Sequence, residues 1–156
     1  MTAMGGLRVA LKLPVFLYRL HLGFLLGERF LLLEHRGRRS GRSYRTVLEV
    51  VRFDHHDGEA VVMSGWGRRA GWYRNVTAGG AFGVEVGRRR FAPEVRLLDT
   101  EEAATALAAY ERRNRIVAPV IRRVLSRLAG FPYDGSPEAR LRVVQALPLV
   151  GFRPRT

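Results

Sequence analysis

Between Phe30 and Leu97 the chain repeats one pattern: short runs of β-branched and apolar residues, separated by turns that carry glycine. Phe82, Val84 and Val86 alternate with Gly83, Glu85 and Gly87, and Phe91, Val95 and Leu97 alternate with Ala92, Glu94 and Arg96. A period of two puts one set of side chains on each face of an extended strand, the pattern of half-buried antiparallel sheet. Similar runs stand at Phe30–His35, Tyr44–Phe53 and Glu59–Ser64. Only one helical piece fits among them, Trp72 to Ala78, and Gly79 with Gly80 stops it. Five strands in succession without regular intervening helices argue against a parallel α/β sheet and predict a small antiparallel barrel or curved sheet.

Helices flank this core. Thr100, followed by Glu101 and Glu102, reads as an N-cap with acids in the first turn, opening a helix to about Asn114. Val117, Ile121, Val124 and Leu128 share one face of a further helix whose other side carries Arg122, Arg123 and Arg127. Glu138 to Ala146 reads as helical and Leu147 to Phe152 as a last strand. The expected class is therefore mainly β with flanking helices. At 156 residues the chain reads as one domain, residues 1–156, with an N-terminal apolar helix at about 7–27 and a helical part at about 100–146.

The net charge of +13 calls for anionic partners: nucleic acid, an acidic membrane surface or a phosphorylated small molecule. Lys12 is the sole lysine, so the positive charge is nearly all guanidinium, which suits paired recognition of phosphate or carboxylate. Codon bias explains the count, and clustering must carry the functional argument. The lack of cysteine excludes disulfides and thiolate metal sites and fits the cytoplasm. Lys12, Arg19, His21, Glu28 and Arg29 interrupt the apolar N-terminal stretch, which makes it a poor membrane span and a poor export signal. Arg8, Lys12 and Arg19 fall on one stripe of that helix. The stripe fits peripheral attachment to an anionic membrane on its inner face, and packing on this chain's own barrel or on a second subunit of a homodimer fits as well.

Two clusters concentrate the charge. Arg36, Arg38, Arg39, Arg42 and Arg45 interleave with Gly37, Ser40 and Gly41; glycines let amides turn toward an oxyanion, and guanidinium groups neutralise it. The alternative is a solvated basic hairpin tip. Ser64, Gly65, Trp66, Gly67, Arg68 and Arg69 precede Trp72, Tyr73, Arg74 and Asn75, setting both tryptophans beside cations, which suits a planar heterocycle with a charged tail. Against this, Trp72 reads equally as core and Trp66 as a loop anchor. Metal-ligand spacing and nucleophile-elbow sequences are missing, and Glu49 reads as an arginine partner. An enzyme built this way needs a cofactor for its difficult chemistry.

The runs EHRGRRSGRSYRTVLEVV from Glu34 to Val51 and VMSGWGRRAGWYRNV from Val62 to Val76 resemble the two signature segments of the deazaflavin-dependent nitroreductase and quinone reductase family, and the likeness extends over about Leu31 to Tyr110. The resemblance implies a split β-barrel of the FMN-binding type and coenzyme F420 as cofactor, a deazaflavin with an anionic tail. Carried over by position, Arg38, Arg39, Ser40, Gly41 and Arg42 would hold tail anions, and Thr46, Val47 and Leu48 would run along the ring through their backbone. Ser64, Arg68 and Arg69 would approach the phosphate, and Trp72 and Asn75 would complete the wall. Many relatives carry proline where this chain has Val47. A tyrosine of the C-terminal part lines the acceptor pocket in active members; Tyr110 and Tyr133 are the residues available for it. The implied reaction is hydride transfer from reduced deazaflavin to a small lipophilic acceptor such as a quinone, a nitro compound or an enone. Two other readings stand beside it: a carrier of the cofactor or of a lipophilic ligand without turnover, and a basic nucleic-acid binder, which the lack of any nucleic-acid-binding signature disfavours.

Overall fold

The computed structural model describes residues 27–155; the N-terminal helix expected at about 7–27, with its basic stripe, lies outside the described residues except for Gly27. Seven strands form the core: β1 (Phe30–Arg36), β2 (Ser43–Phe53), β3 (Ala60–Met63), β4 (Ala81–Val86), β5 (Arg89–Phe91), β6 (Pro93–Leu97) and β7 (Leu149–Pro154). Helix α1 (Gly71–Thr77) lies between β3 and β4, and α2 (Thr100–Arg113), α3 (Ala118–Ala129) and α4 (Pro137–Ala146) lie between β6 and β7. All strand pairs are antiparallel, in the order β5-β4-β1-β2-β3-β7-β6. The sheet curls into a nearly closed antiparallel barrel, as the alternation requires.

Closure explains one departure from the sequence reading, which expects a single strand over Phe91–Leu97. The chain instead bends at Ala92. Phe91 pairs with Val84 of β4, whereas Pro93 pairs with Pro154 of β7. The two edges of the sheet are thus one continuous stretch of chain, joined by a corner rather than by a hydrogen-bonded ladder. Pro93 donates no amide hydrogen, so it fits the corner better than a strand interior.

Alternation then sorts the side chains into two cores. Leu31, Leu33, Val50, Val62, Val84, Val150 and Phe152 fill the barrel, with Trp72, Tyr73 and Val76 of α1 plugging one end. Val51, Val61 and Leu149 point outward on β2, β3 and β7 and are covered by Leu107, Leu125, Val143 and Val144 of α2, α3 and α4. Two helix starts differ from expectation. Asp99, not Thr100, caps α2, its carboxylate accepting the Glu102 amide at 2.8 Å; aspartate caps as well as threonine does and adds a negative charge at the helix start. Helix α4 begins at Pro137, one residue before the expected Glu138, with Ser136 accepting the Ala139 amide. The last strand starts at Leu149 rather than Leu147, which caps α4.

A buried carboxylate fastens the outer layer. Glu59 is 2% exposed and receives Arg96 through two bonds, at 2.6 and 3.0 Å, and Arg153 at 3.2 Å. Arg96 also grips Glu102 of α2 at 2.6 and 2.7 Å, so one guanidinium links β6, the start of β3 and a helix. These cations hold both carboxyls below their usual range, with Glu102 at about 2. Gly151 makes the room: a Cβ there would lie 2.8 Å from the Glu59 carboxyl.

Two consequences follow for stability. Gly151→Ala crowds a carboxylate that cannot move away, and should cost about 1–3 kcal/mol in denaturant unfolding. Because the folded-state carboxyls titrate lower than the unfolded ones, their contribution is complete above about pH 4.5 and is lost as pH falls toward 2. The unfolding midpoint should fall over that window, and fall less in a Glu59→Gln, Glu102→Gln variant that is already weakened at pH 7.

Candidate functional site

The connection between β1 and β2 is built to project guanidinium groups. The Gly37 amide donates to the Arg42 carbonyl at 2.8 Å and the Gly41 amide to the Gly37 carbonyl at 2.9 Å, with Gly41 in the left-handed region at φ 69°. The Ser40 hydroxyl accepts the Arg42 amide at 3.2 Å, which stabilises the turn from within. Helix α1 docks against this turn. Asn75 Oδ1 accepts both the backbone amide and the guanidinium of Arg38, each at 3.1 Å. Behind it the Gly80 amide donates to the Asn75 carbonyl and the Arg36 amide to the Gly80 carbonyl, an approach so close that a Cβ at Gly80 would lie 2.6 Å from the Arg36 carbonyl oxygen.

The two sequence clusters therefore meet. A cavity of about 470 Å³ is lined by His35, Gly37, Arg38, Arg39, Ser40, Tyr44, Arg45, Thr46, Gly71, Trp72 and Asn75. Three arginines face it and no carboxylate does, so the field inside favours an anion. Its inner wall is a hydrogen-bonded series: Asn75 Nδ2 meets His35 Nδ1 at 3.0 Å, and His35 Nε2 meets Thr46 Oγ1 at 2.9 Å. Burial pushes the His35 pKa down, and its ring stacks on Tyr44 with centroids 5.7 Å apart.

Other residues singled out by sequence stand elsewhere. Gly41 and Arg42 form the turn without lining the cavity. Ser64 is fully buried, and its hydroxyl donates to the Gly67 carbonyl at 2.5 Å. Arg68 donates to the Gln145 carbonyl at the end of α4, and Arg69 is exposed. Trp72 is a core residue that also lines the cavity, whereas Trp66 is 73% exposed, so the two do not form one aromatic wall. Val47 and Leu48 lie on β2, paired with Leu32 and Leu31 of β1.

Strand β2 leads from this cavity to a second one. Arg45, Val47, Glu49 and Val51 succeed one another on its outer face, about 13 Å from Arg45 to Glu49 at strand rise. At Glu49 the strand enters a groove of about 410 Å³ under α3, floored by Val51, Met63 and Leu107 and walled by Val117, Val120, Ile121 and Val124. Tyr110, on the last turn of α2, closes its polar end and donates to Glu49 at 2.5 Å. Glu49 is thus the acceptor of a tyrosine, not the arginine partner that its sequence context implies. Burial and this carboxylate push the Tyr110 phenol well above its usual range, so the hydroxyl stays protonated. Arg29, Asn114 and, in the adjoining polar cavity, Arg113 complete the rim.

Tyr133 is placed differently. It is 5% exposed within the helical core, donates to the buried Glu111 at 2.7 Å, and is pushed up to about 12 by burial and that carboxylate. It lines neither cavity, because Glu111, held also by Arg122 and Arg140, draws it under α3 and α4. Sequence reasoning missed His35 and Glu49. The position of His35 directly before the arginine hairpin was an available signal; nothing around Glu49 announced Tyr110, which lies 61 residues away. Among the described residues no group of side chains could hold a metal ion, and no helix is long and apolar enough to cross a membrane.

No curated protein matches the chain. Among solved structures, an F420H2-dependent reductase is 17% identical over 81% of this chain and 96% of its own, with a TM-score of 0.45. A protein of unknown function from Agrobacterium tumefaciens is 13% identical over 85% of this chain, which spans 51% of that one, with a TM-score of 0.52. The haem storage protein HutZ of Vibrio cholerae is 13% identical over 85% and 86% of the two chains, with a TM-score of 0.49. The family model for F420H2-dependent quinone reductases matches residues 21–118, which include β1 to β6, α1, α2, the arginine cavity and Tyr110. On that match, over more than half of its length, the chain belongs to the F420H2-dependent quinone reductase family, oxidoreductases whose cofactor is reduced coenzyme F420.

Proposed function

We propose that the arginine cavity receives the anionic tail of reduced F420, that the deazaflavin lies along the outer face of β2, and that a lipophilic acceptor enters the α3 groove beside Tyr110. The observation that carries this reading is the track along β2, which joins an anion-directed cavity to an apolar groove with one phenol at the junction. The donor set fits the cofactor: Arg38, Arg39 and Arg45 match a polyanionic tail, and Val47 offers the ring an apolar bed.

When bound, the reduced deazaflavin supplies a hydride. The protein supplies position, since the reacting atoms must be held about 3–3.5 Å apart. Tyr110, kept protonated by its surroundings, turns its hydroxyl from Glu49 onto the oxygen of the acceptor and hydrogen-bonds the negative charge that develops there. Solvent supplies the proton that completes the reduced acceptor, and the Glu49 carboxylate accepts the hydroxyl again once product leaves. The groove walls exclude water from one face. Quinones suit this geometry best, because an oxygen reaches Tyr110 while the remaining carbon skeleton lies against valine and leucine; nitro compounds and enones share the oxygen and are weaker candidates. Tyr133 has no part in this chemistry.

Arg38→Ala combined with Arg39→Ala should weaken F420 binding by about a hundredfold or more, each charge-assisted bond contributing about 1.5–3 kcal/mol, with the fold retained. A calorimetric titration with unaltered affinity removes the hairpin from the site. Tyr110→Phe should lower the single-turnover rate with a menaquinone analogue and leave cofactor affinity nearly constant, since the hydroxyl acts mainly in the transition state. Tyr133→Phe should behave oppositely, lowering stability by about 1–3 kcal/mol through the lost hydrogen bond to the buried Glu111, which keeps Arg122 and Arg140, with turnover retained. Failure of wild type to oxidise the bound cofactor with any quinone, nitro compound or enone would identify a carrier.

A further inference from the structure

We propose that His35 is a positioning residue that works in a single tautomer, turning the Thr46 hydroxyl into a hydrogen-bond donor for the ligand held in the arginine cavity. The proposal rests on the reading of that cavity as the cofactor-tail site.

The chain of donors and acceptors leaves one consistent assignment. Two donors, the amide and the guanidinium of Arg38, converge on one atom of the Asn75 side chain, which must therefore be its oxygen. The other atom is then the NH2 group, a donor only, and it faces His35 Nδ1 at 3.0 Å. Nδ1 must accept, so the ring carries its proton on Nε2. That proton points to Thr46 Oγ1 at 2.9 Å, making the threonine oxygen an acceptor. The Thr46 hydrogen is left over. Among the described residues no acceptor takes it, and Thr46 lines the cavity.

The surroundings enforce this state. Tyr44 stacks on the ring, Asn75 bonds to it from α1, Ala81 pairs with it on β4, and Arg38, Arg39, Arg45 and Trp72 line the same cavity. None of these is a carboxylate. Protonation would add a cation among arginines and set an N–H of the ring against the Asn75 NH2 group. Relief would require Asn75 to flip, which breaks both bonds from Arg38 and unties the hairpin from α1. Burial likewise disfavours the charged ring. A neutral His35 thus holds the Arg38 backbone, through Asn75, and the Thr46 hydroxyl in one arrangement; a charged ring keeps its Nε2–H on Thr46 and releases Arg38.

The tautomer can be read directly on the full-length, ligand-free protein by 15N-detected correlation of its histidine rings at neutral pH. His35 should show a protonated Nε2 and an unprotonated Nδ1; the reverse tautomer or a cationic ring overturns the proposal. Coenzyme F420 is then titrated into wild type, Thr46→Val, Thr46→Ser and His35→Gln, with affinity as the readout. Thr46→Val should bind about three- to tenfold more weakly and Thr46→Ser should recover the loss. Wild-type affinity should drop only at a pH lower than the ordinary histidine range, because burial lowers the His35 pKa, and His35→Gln should drop less, since its amide does not titrate. Equal affinity in Thr46→Val, no recovery in Thr46→Ser, or the same pH profile in His35→Gln would each overturn the assignment. If wild type binds no F420 at any pH, the reading of the cavity fails and the ligand-directed part fails with it, while the ring spectrum separately decides the tautomer.

Discussion

The bend at Ala92 makes the rest of the architecture possible. A seven-stranded sheet with two free edges would expose unpaired amides and carbonyls, a template for association. Here both edges belong to the run Arg89–Leu97, whose first part pairs with β4 and whose second part pairs with β7. The corner holds because its far side is anchored: Arg96, three residues past Pro93, enters the buried Glu59 site and binds the first turn of α2 as well. The same guanidinium therefore serves both barrel closure and helix docking. With the barrel closed, the outer face of β2 has a fixed direction, leading from the arginine hairpin to the base of α2.

Two groups of arginines have opposite physical roles. Arg52, Arg96 and Arg153 surround Glu59 and Glu102, and Arg122 and Arg140 surround Glu111; in each set a buried carboxylate, Glu59 or Glu111, answers the cations. Such pairs fix geometry more than they add stability, because desolvation offsets much of their attraction. Arg38, Arg39 and Arg45 in the hairpin cavity are different. Arg38 is oriented by the neutral Asn75, which leaves its charge uncompensated, and Arg45 reaches only the edge of Glu34 at 3.7 Å. Net charge alone carries no functional message in this chain; the lack of carboxylates around one cavity does.

Much of this was legible in the sequence, and the failures share a cause. Period-two alternation located the strands, and the density of Arg36 to Arg45 pointed to the hairpin where three arginines line a cavity, because both are local signals. The corner at Ala92 was not local: whether Phe91–Leu97 is one strand or two depends on which strands lie on either side of it. The different placement of Tyr110 and Tyr133 had the same character. Both are tyrosines of the helical part, and only the burial of Glu111 under α3 and α4 separates them. Ser64 was misleading because its place in a glycine-rich loop reads like a ligand contact, while in space its hydroxyl closes the turn at Gly67. His35 occupies a strand position of the kind that is mostly structural, and only Asn75, forty residues on, gives it a defined proton.

The separation of the two cavities bears on how acceptor preference can change without loss of the cofactor. In the proposed reading the tail is held by one hairpin and one short helix, both tied together through Asn75 and Gly80. The acceptor instead meets Val117, Val120 and Val124, which approach from α3 and contribute little to either core. Val117, Val120 and Val124 are each about half exposed, so replacing them changes the shape of the groove at small cost in stability, unlike a change at Leu107 or Leu125 below. Tyr110 stands between the two systems, on α2, whose own position is set by Arg96 and Glu102 at its other end. Groove shape can therefore vary while the distance from β2 to the phenol stays constant, which is the condition for one hydride donor to serve acceptors of different bulk.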